Sequence, residues 1–230
     1  MGRRRGDQAE VSANFIKSFG ARFARAKLFD LPRFKSFPVK LLSSFVVTAL
    51  LGMVLAACDS RPLFKSTDIS SVDYGRVLEL TDHTGKPRRL EDFRGKAVVV
   101  FFGFTQCPDV CPTTLADIAG AMKKLGPEAD RVQVLLVTVD PERDTPKLLA
   151  DYVGAFDSRF LALRGDLAAT QRVAKEFKIY FEKRKQGSSY TVDHSAQSYV
   201  IDAQGRLRLL VRHDRIAQDL ADDLRLILKG

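Results

Sequence analysis

From residue 73 onward, short apolar runs alternate with amphipathic stretches and turn-rich breaks. Val77-Leu78-Glu79-Leu80 and Arg88-Arg89-Leu90 flank Asp82-His83-Thr84-Gly85-Lys86, a pattern that predicts a β-hairpin. Ala97 to Phe104 (AVVVFFGF) is a continuous run of β-branched and aromatic residues, as expected of a strand buried on both faces. Cys111-Pro112 then opens a helix to about Leu125. The proline falls in the first turn, where a missing N–H costs nothing, and Leu115, Ile118, Ala119 and Met122 share one face. Val132 to Val139 is a second central strand. Asp144 or Thr145 caps a helix that begins at Pro146 and runs to about Ala155. Phe160 to Leu163 forms a short strand, and Asp166 caps a helix from Leu167 to about Lys178. The polar stretch from Ile179 to Thr191, with Gln186-Gly187 at its middle, predicts a hairpin insertion. Ser198 to Ile201 and Arg206 to Val211 bracket Asp202-Ala203-Gln204-Gly205 as another hairpin, and Arg215 to Lys229 closes the chain as an amphipathic helix.

This order, β-α-β-α-β-α followed by a β-hairpin and a final helix, predicts an α/β domain with the thioredoxin-like arrangement, an N-terminal β-hairpin and a hairpin insertion. Ahead of it lies a different kind of sequence. Leu41 to Ala57 (LLSSFVVTALLGMVLAA) is seventeen residues without a charge, preceded by Lys40 and a scatter of arginines. A core helix would show a polar face, and this run offers only Ser43, Ser44 and Thr48. It reads as an export signal, with a transmembrane anchor as the rival, since seventeen residues is the lower limit for a span. Leu55-Ala56-Ala57-Cys58 resembles a bacterial lipobox, which implies acylation of Cys58 as the mature N-terminus; two or three acyl chains give stable anchoring where one does not. In that resemblance Asp59 is the residue type associated with inner-membrane retention. The forty residues before the apolar run also look like an organellar transit peptide, or translation starts at Val39. The expected organisation is a leader over 1–57, a tether over 58–72 and one domain over 73–230. The expected location is the periplasmic face of a bacterial inner membrane, with the mitochondrial inner membrane as the alternative.

Charge supports that division. Of the net +9 carried by 230 residues, +7 belongs to residues 1–57, which hold ten Lys and Arg against three acids. The remainder is close to neutral, so nucleic-acid binding loses its compositional support. With 45% hydrophobic and 28% charged residues, the chain has a globular make-up rather than a disordered one.

The domain keeps two cysteines, Cys107 and Cys111, in Phe104-Thr105-Gln106-Cys107-Pro108-Asp109-Val110-Cys111-Pro112. They fall past the C-terminal end of the buried strand and at the start of its helix, where open α/β sheets form sites. Thiols at i and i+4 approach within about 6 Å if locally helical, so they can share a metal or close a disulfide. A helix N-terminus lowers a thiol pKa, and the thiolate is both nucleophile and metal ligand. A structural disulfide is the bland reading for an exported protein, but so short a loop constrains the unfolded chain little. Asp140-Pro141-Glu142-Arg143-Asp144 follows the second strand at the same sheet end. It reads as a capped turn with an Arg–carboxylate pair, or as a wall of the site, and supplies no ligand.

These motifs, F-T-Q-C-P-D-V-C-P, then Val139-Asp140-Pro141-Glu142-Arg143-Asp144-Thr145-Pro146, then Val192-Asp193-His194-Ser195, together resemble the Sco/SenC family of copper proteins that serve respiratory oxidase assembly. The likeness runs from about Val77 to the C-terminus. It implies copper bound by Cys107, Cys111 and His194. Soft thiolates with an imidazole favour Cu(I), whereas a closed zinc site would want four protein ligands. Asp193 is expected to orient the His194 ring or to take a weak outer position, with both in a polar turn. His83 and His213 are expected to face solvent.

With the anchor expected from the leader, the resemblance implies a membrane-tethered copper chaperone. Its recipient would be the CuA site of apo cytochrome c oxidase subunit II or another respiratory oxidase, with other copper carriers as partners. The rival is a thiol-disulfide oxidoreductase with Cys107 as nucleophile and Cys111 resolving. A thiol peroxidase is disfavoured because no Pro precedes Thr105 in the P-x-x-x-T-x-x-C pattern and the chain has no Trp.

Overall fold

The computed structural model describes residues 62–230. The expected leader, its apolar run and Cys58 lie outside the described residues. Within them the strands are β1 (Thr67–Asp68), β2 (Glu79–Asp82), β3 (Pro87–Arg89), β4 (Ala97–Gly103), β5 (Val132–Thr138), β6 (Leu161–Arg164), β7 (Phe181–Gln186), β8 (Ser189–His194), β9 (Ser198–Ile201) and β10 (Leu207–Val211). The helices are α1 (Val110–Leu125), α2 (Pro146–Gly154), α3 (Leu167–Glu176) and α4 (Ile216–Lys229).

Eight strands form one sheet in the order β1-β10-β9-β4-β5-β6-β2-β3, while β7 and β8 pair with each other outside it. The pairs β4–β5 and β5–β6 are parallel and the rest antiparallel. Parallel neighbours require crossovers, and α1 and α2 supply them. All seven residues of β4 are buried, which is why the sequence there shows no alternation. Helix α4 buries Ile216, Leu220, Leu224 and Ile227 along one face, and lies beside α1, where Arg225 Nη2 donates to the Lys124 carbonyl at 2.6 Å. No helix among the described residues is long and apolar enough to cross a membrane.

Local chemistry sets the element ends. Thr145, not Asp144, caps α2, its Oγ1 accepting from Leu148 N at 3.2 Å, and Asp166 Oδ1 caps α3 from Ala169 N at 2.7 Å. Two hairpin turns use one device: Asp82 Oδ1 accepts from the N–H groups of Thr84 and Lys86, and Asp202 Oδ1 from those of Gln204 and Arg206. Gly85 and Gly205, at φ +90° and +79°, complete the turns in a region that side chains rarely adopt.

Two expectations need correction. The stretch read as a tether up to Val72 is part of the fold from Phe64 onward. β1 pairs with β10, and the buried Asp223 carboxylate accepts the N–H groups of Lys65 and Ser66 at 2.8 and 2.9 Å. Its weak apolar pattern hid this, because a two-residue edge strand leaves no periodicity. His83 is half-buried rather than solvent-facing: its Nδ1 accepts from Ala162 N at 3.1 Å and its own N–H donates to the Ala162 carbonyl, extending the β2–β6 pairing by a side chain. His213 is exposed, as expected.

Candidate metal centre

Three segments far apart in sequence meet beyond the C-terminal ends of β4 and β5. The chain leaves β4 at Gly103 and turns, with Cys107 N donating to the Phe104 carbonyl, so that Cys107 stands half-buried at the mouth. Cys111 follows in the first turn of α1 and is fully buried. Its N–H points at Cys107 Sγ, 3.4 Å away. The β7–β8 hairpin brings in His194, whose Nε2 lies 3.3 Å from Cys111 Sγ. The two sulfurs and the imidazole nitrogen all lie within 4.8 Å of one another, and neither cysteine is in a disulfide.

The histidine's tautomer follows from its partners. Nδ1 is 2.8 Å from the Ser195 carbonyl oxygen. A carbonyl can only accept, so Nδ1 carries the proton and Nε2 turns its lone pair toward the sulfurs. Phe101 and Phe104 pack against the ring in T-shaped contacts, with centroids at 6.3 and 5.8 Å and interplanar angles of 66° and 83°. His194 is the last residue of β8 rather than part of a turn, and Asp193 does not orient it. Successive strand residues point to opposite faces, so Asp193 faces outward, where its carboxylate pairs with Arg184 Nε at 3.0 Å.

The thiols differ because their surroundings do. A hydrogen bond from Cys111, with further donors at the Asp109 and Cys111 N–H groups, draws the Cys107 pKa down to about 4 against the cost of burial. Proximity to that sulfur and burial push Cys111 up. The metal-free pair is therefore one accessible thiolate beside one buried thiol.

The loops around the triad are tied to each other. Asp144, fully buried, accepts from Thr105 Oγ1 at 2.6 Å and Thr138 Oγ1 at 2.5 Å, fastening the cysteine loop to β5; burial raises its pKa. The expected Arg–carboxylate pair is present as Arg143 Nε to Asp140 Oδ2 at 2.5 Å. Arg143 also lies over the Tyr190 ring at 3.7 Å. Gly103 is a further member: a Cβ there would stand 3.0 Å from Cys111 Sγ and 2.9 Å from the Phe101 ring. Sequence reasoning passed over Gly103, Gln106 and Tyr190, because a lone glycine in a strand and two isolated polar side chains carry no spacing signal.

As a donor set, two thiolates and a neutral imidazole suit a soft, thiophilic ion, and three donors leave room for an exchanging ligand. A thioredoxin-like domain with this triad between its cysteine loop and an inserted hairpin defines a metal-handling class of protein. Comparison gives the family: the SCO1/SenC model matches residues 67–229, and the chain belongs to that family. The mitochondrial protein SCO2 homolog of Mus musculus is 35% identical over 152 residues, 64% of this chain and 60% of its own length. A SCO2-like protein of Rickettsia prowazekii is 32% identical over 165 residues, 70% of this chain and 80% of its own. The chain thus spans less than two thirds of the mouse relative's length. The solved structure of Bradyrhizobium japonicum ScoI with copper bound is 36% identical, with a TM-score of 0.63 over 68% of this chain and all of that one. BsSco, described as a member of the Sco family of cytochrome c oxidase assembly proteins, shares the fold at 22% identity, with a TM-score of 0.56 over 74% of this chain and 96% of that one.

Proposed function

We propose that this protein is a membrane-tethered copper chaperone that holds one copper ion as cargo at Cys107, Cys111 and His194. It would pass the ion to a respiratory oxidase, with the CuA site of cytochrome c oxidase subunit II as recipient. The observation that carries the reading is the convergence of two sulfurs and one imidazole nitrogen within 4.8 Å, at the three positions where the family resemblance puts copper ligands. Cys111 is sealed inside while Cys107 and His194 are each partly exposed, so an incoming donor reaches the ion from their side. Acylation at Cys58, on the periplasmic face of a bacterial inner membrane, would raise the effective concentration of carrier near its target; a mitochondrial inner-membrane setting is the alternative.

The test is anaerobic copper titration of reduced protein from Arg61 onward, wild type beside His194→Ala, reading stoichiometry and the thiolate-to-copper charge-transfer band. One copper per chain, weakened by the substitution, supports the carrier. Binding indifferent to His194 overturns it.

A second reading draws on the low Cys107 pKa beside a buried Cys111. As a thiol-disulfide oxidoreductase, the Cys107 thiolate would attack a recipient's disulfide and release one thiolate. Cys111 would then attack the mixed disulfide and release the second, leaving Cys107–Cys111 oxidised.

A further inference from the structure

We propose that Arg143 is a positioning residue that latches the β7–β8 hairpin over the cysteine loop and thereby sets His194 against the thiols, without itself touching the cargo. The inference rests on the copper-carrier reading for its purpose, but its geometry is independent of any metal. The hairpin has no strand partner in the main sheet, so its side chains must hold it in place. Tyr190, Val192 and His194 alternate with outward residues along β8 and share its inner face. Val192 is buried, and Tyr190 marks the other end of the face from His194.

Arg143 meets that face from the loop after β5. Its guanidinium stacks on the Tyr190 ring at 3.7 Å, and Nη1 donates to the Tyr190 carbonyl at 2.8 Å and to Gln106 Oε1 at 3.0 Å. Asp140 closes the arrangement, accepting from Arg143 Nε on one oxygen and from the Tyr190 hydroxyl on the other at 2.8 Å. Gln106 directly precedes Cys107. One planar cation thus joins the cysteine loop, the β5 loop and the strand that ends in His194. Only a fork of several donors can do this, which a lysine point charge cannot replace. Among the described residues Arg143 Nη2 is buried without a hydrogen-bond partner, a cost that opening to water would relieve.

The test uses metal-free protein first. Amide hydrogen exchange is read across residues 181–194 and across β4 and β5 in wild type, Arg143→Lys, Arg143→Ala and Tyr190→Ala. Loss of a charge-assisted hydrogen bond predicts exchange in the hairpin faster by about tenfold or more in all three variants, with β4 and β5 unchanged. Copper affinity is then measured for Arg143→Ala, His194→Ala and the double variant. If Arg143 acts through His194, the double variant is no weaker than His194→Ala alone. Unchanged hairpin exchange, acceleration spread through β4 and β5, or additive affinity losses each overturn the latch. Wild-type protein that binds no copper overturns the carrier reading, while the exchange comparison still decides the latch.

Discussion

Gly103 ends the central strand in contact with Cys111: a side chain carbon at residue 103 would stand 3.0 Å from the buried sulfur, closer than van der Waals packing allows. The absence of a Cβ there is what lets α1 start against the strand with its thiol facing the mouth. Gly103→Ala should destabilise the domain by about 1–3 kcal/mol, the cost of overpacking a filled core. It should also weaken metal binding by displacing Cys111. Denaturant unfolding and copper titration check the two effects, and wild-type values in both would show that the contact yields freely.

The depressed Cys107 pKa gives a pH signature. With the folded value at about 4, Cys107 stays a thiolate between pH 6 and 8, whereas a free thiol near 8.5 loses roughly two orders of magnitude of thiolate over that range. Iodoacetamide should therefore modify Cys107 in the reduced, metal-free fold at nearly the same rate at pH 6 as at pH 8, and the denatured chain far more slowly at pH 6. The sign for stability follows. The part contributed by this thiolate is complete above the free-thiol value, shrinks as the pH drops below it, and is lost as the pH falls through about 4. A steep rise in folded-state alkylation between pH 6 and 8 would count against an accessible thiolate.

His194→Ala separates the two chemistries. In the proposed site the ring is one of three donors, and without it the dithiol keeps its helix N-terminus. Stable Cu(II) binding and oxidase assembly should be lost while Cys107 and Cys111 still oxidise and reduce reversibly. Retained Cu(II) binding would remove the imidazole from the ligand set.

Asp223 offers a test away from the site. Its buried carboxylate takes the N–H groups of Lys65 and Ser66, so Asp223→Ala leaves both donors without that partner where the chain enters β1. The expected loss is about 1–3 kcal/mol, with faster proteolysis around residues 62–66. Unchanged protease sensitivity would mean that β1 is held by its pairing with β10 alone.

Much of this molecule was legible in one dimension. β4 announced itself as seven consecutive apolar residues because both its faces are covered, and the Asp202 and Asp82 turns because an aspartate's reach to the next N–H groups is a local matter. The candidate donors Cys107, Cys111 and His194 were legible as residue types in motifs, and their convergence was not. Asp193 misled because its neighbour in sequence is His194, while strand alternation sends the two side chains to opposite faces. His83 misled because its partner, Ala162, comes from another strand. The amino-acid sequence by itself determined the order of elements from β2 onward, the Asp166 cap and the chemistry available. Tertiary structure alone decided which thiol is the thiolate, which nitrogen of His194 is free, why residue 103 has no side chain and how Arg143 reaches Tyr190. Cys111 and His194 lie 83 positions apart yet stand 3.3 Å from each other. Electrostatics and packing act over ångströms, and no local pattern encodes which distant residues will share them.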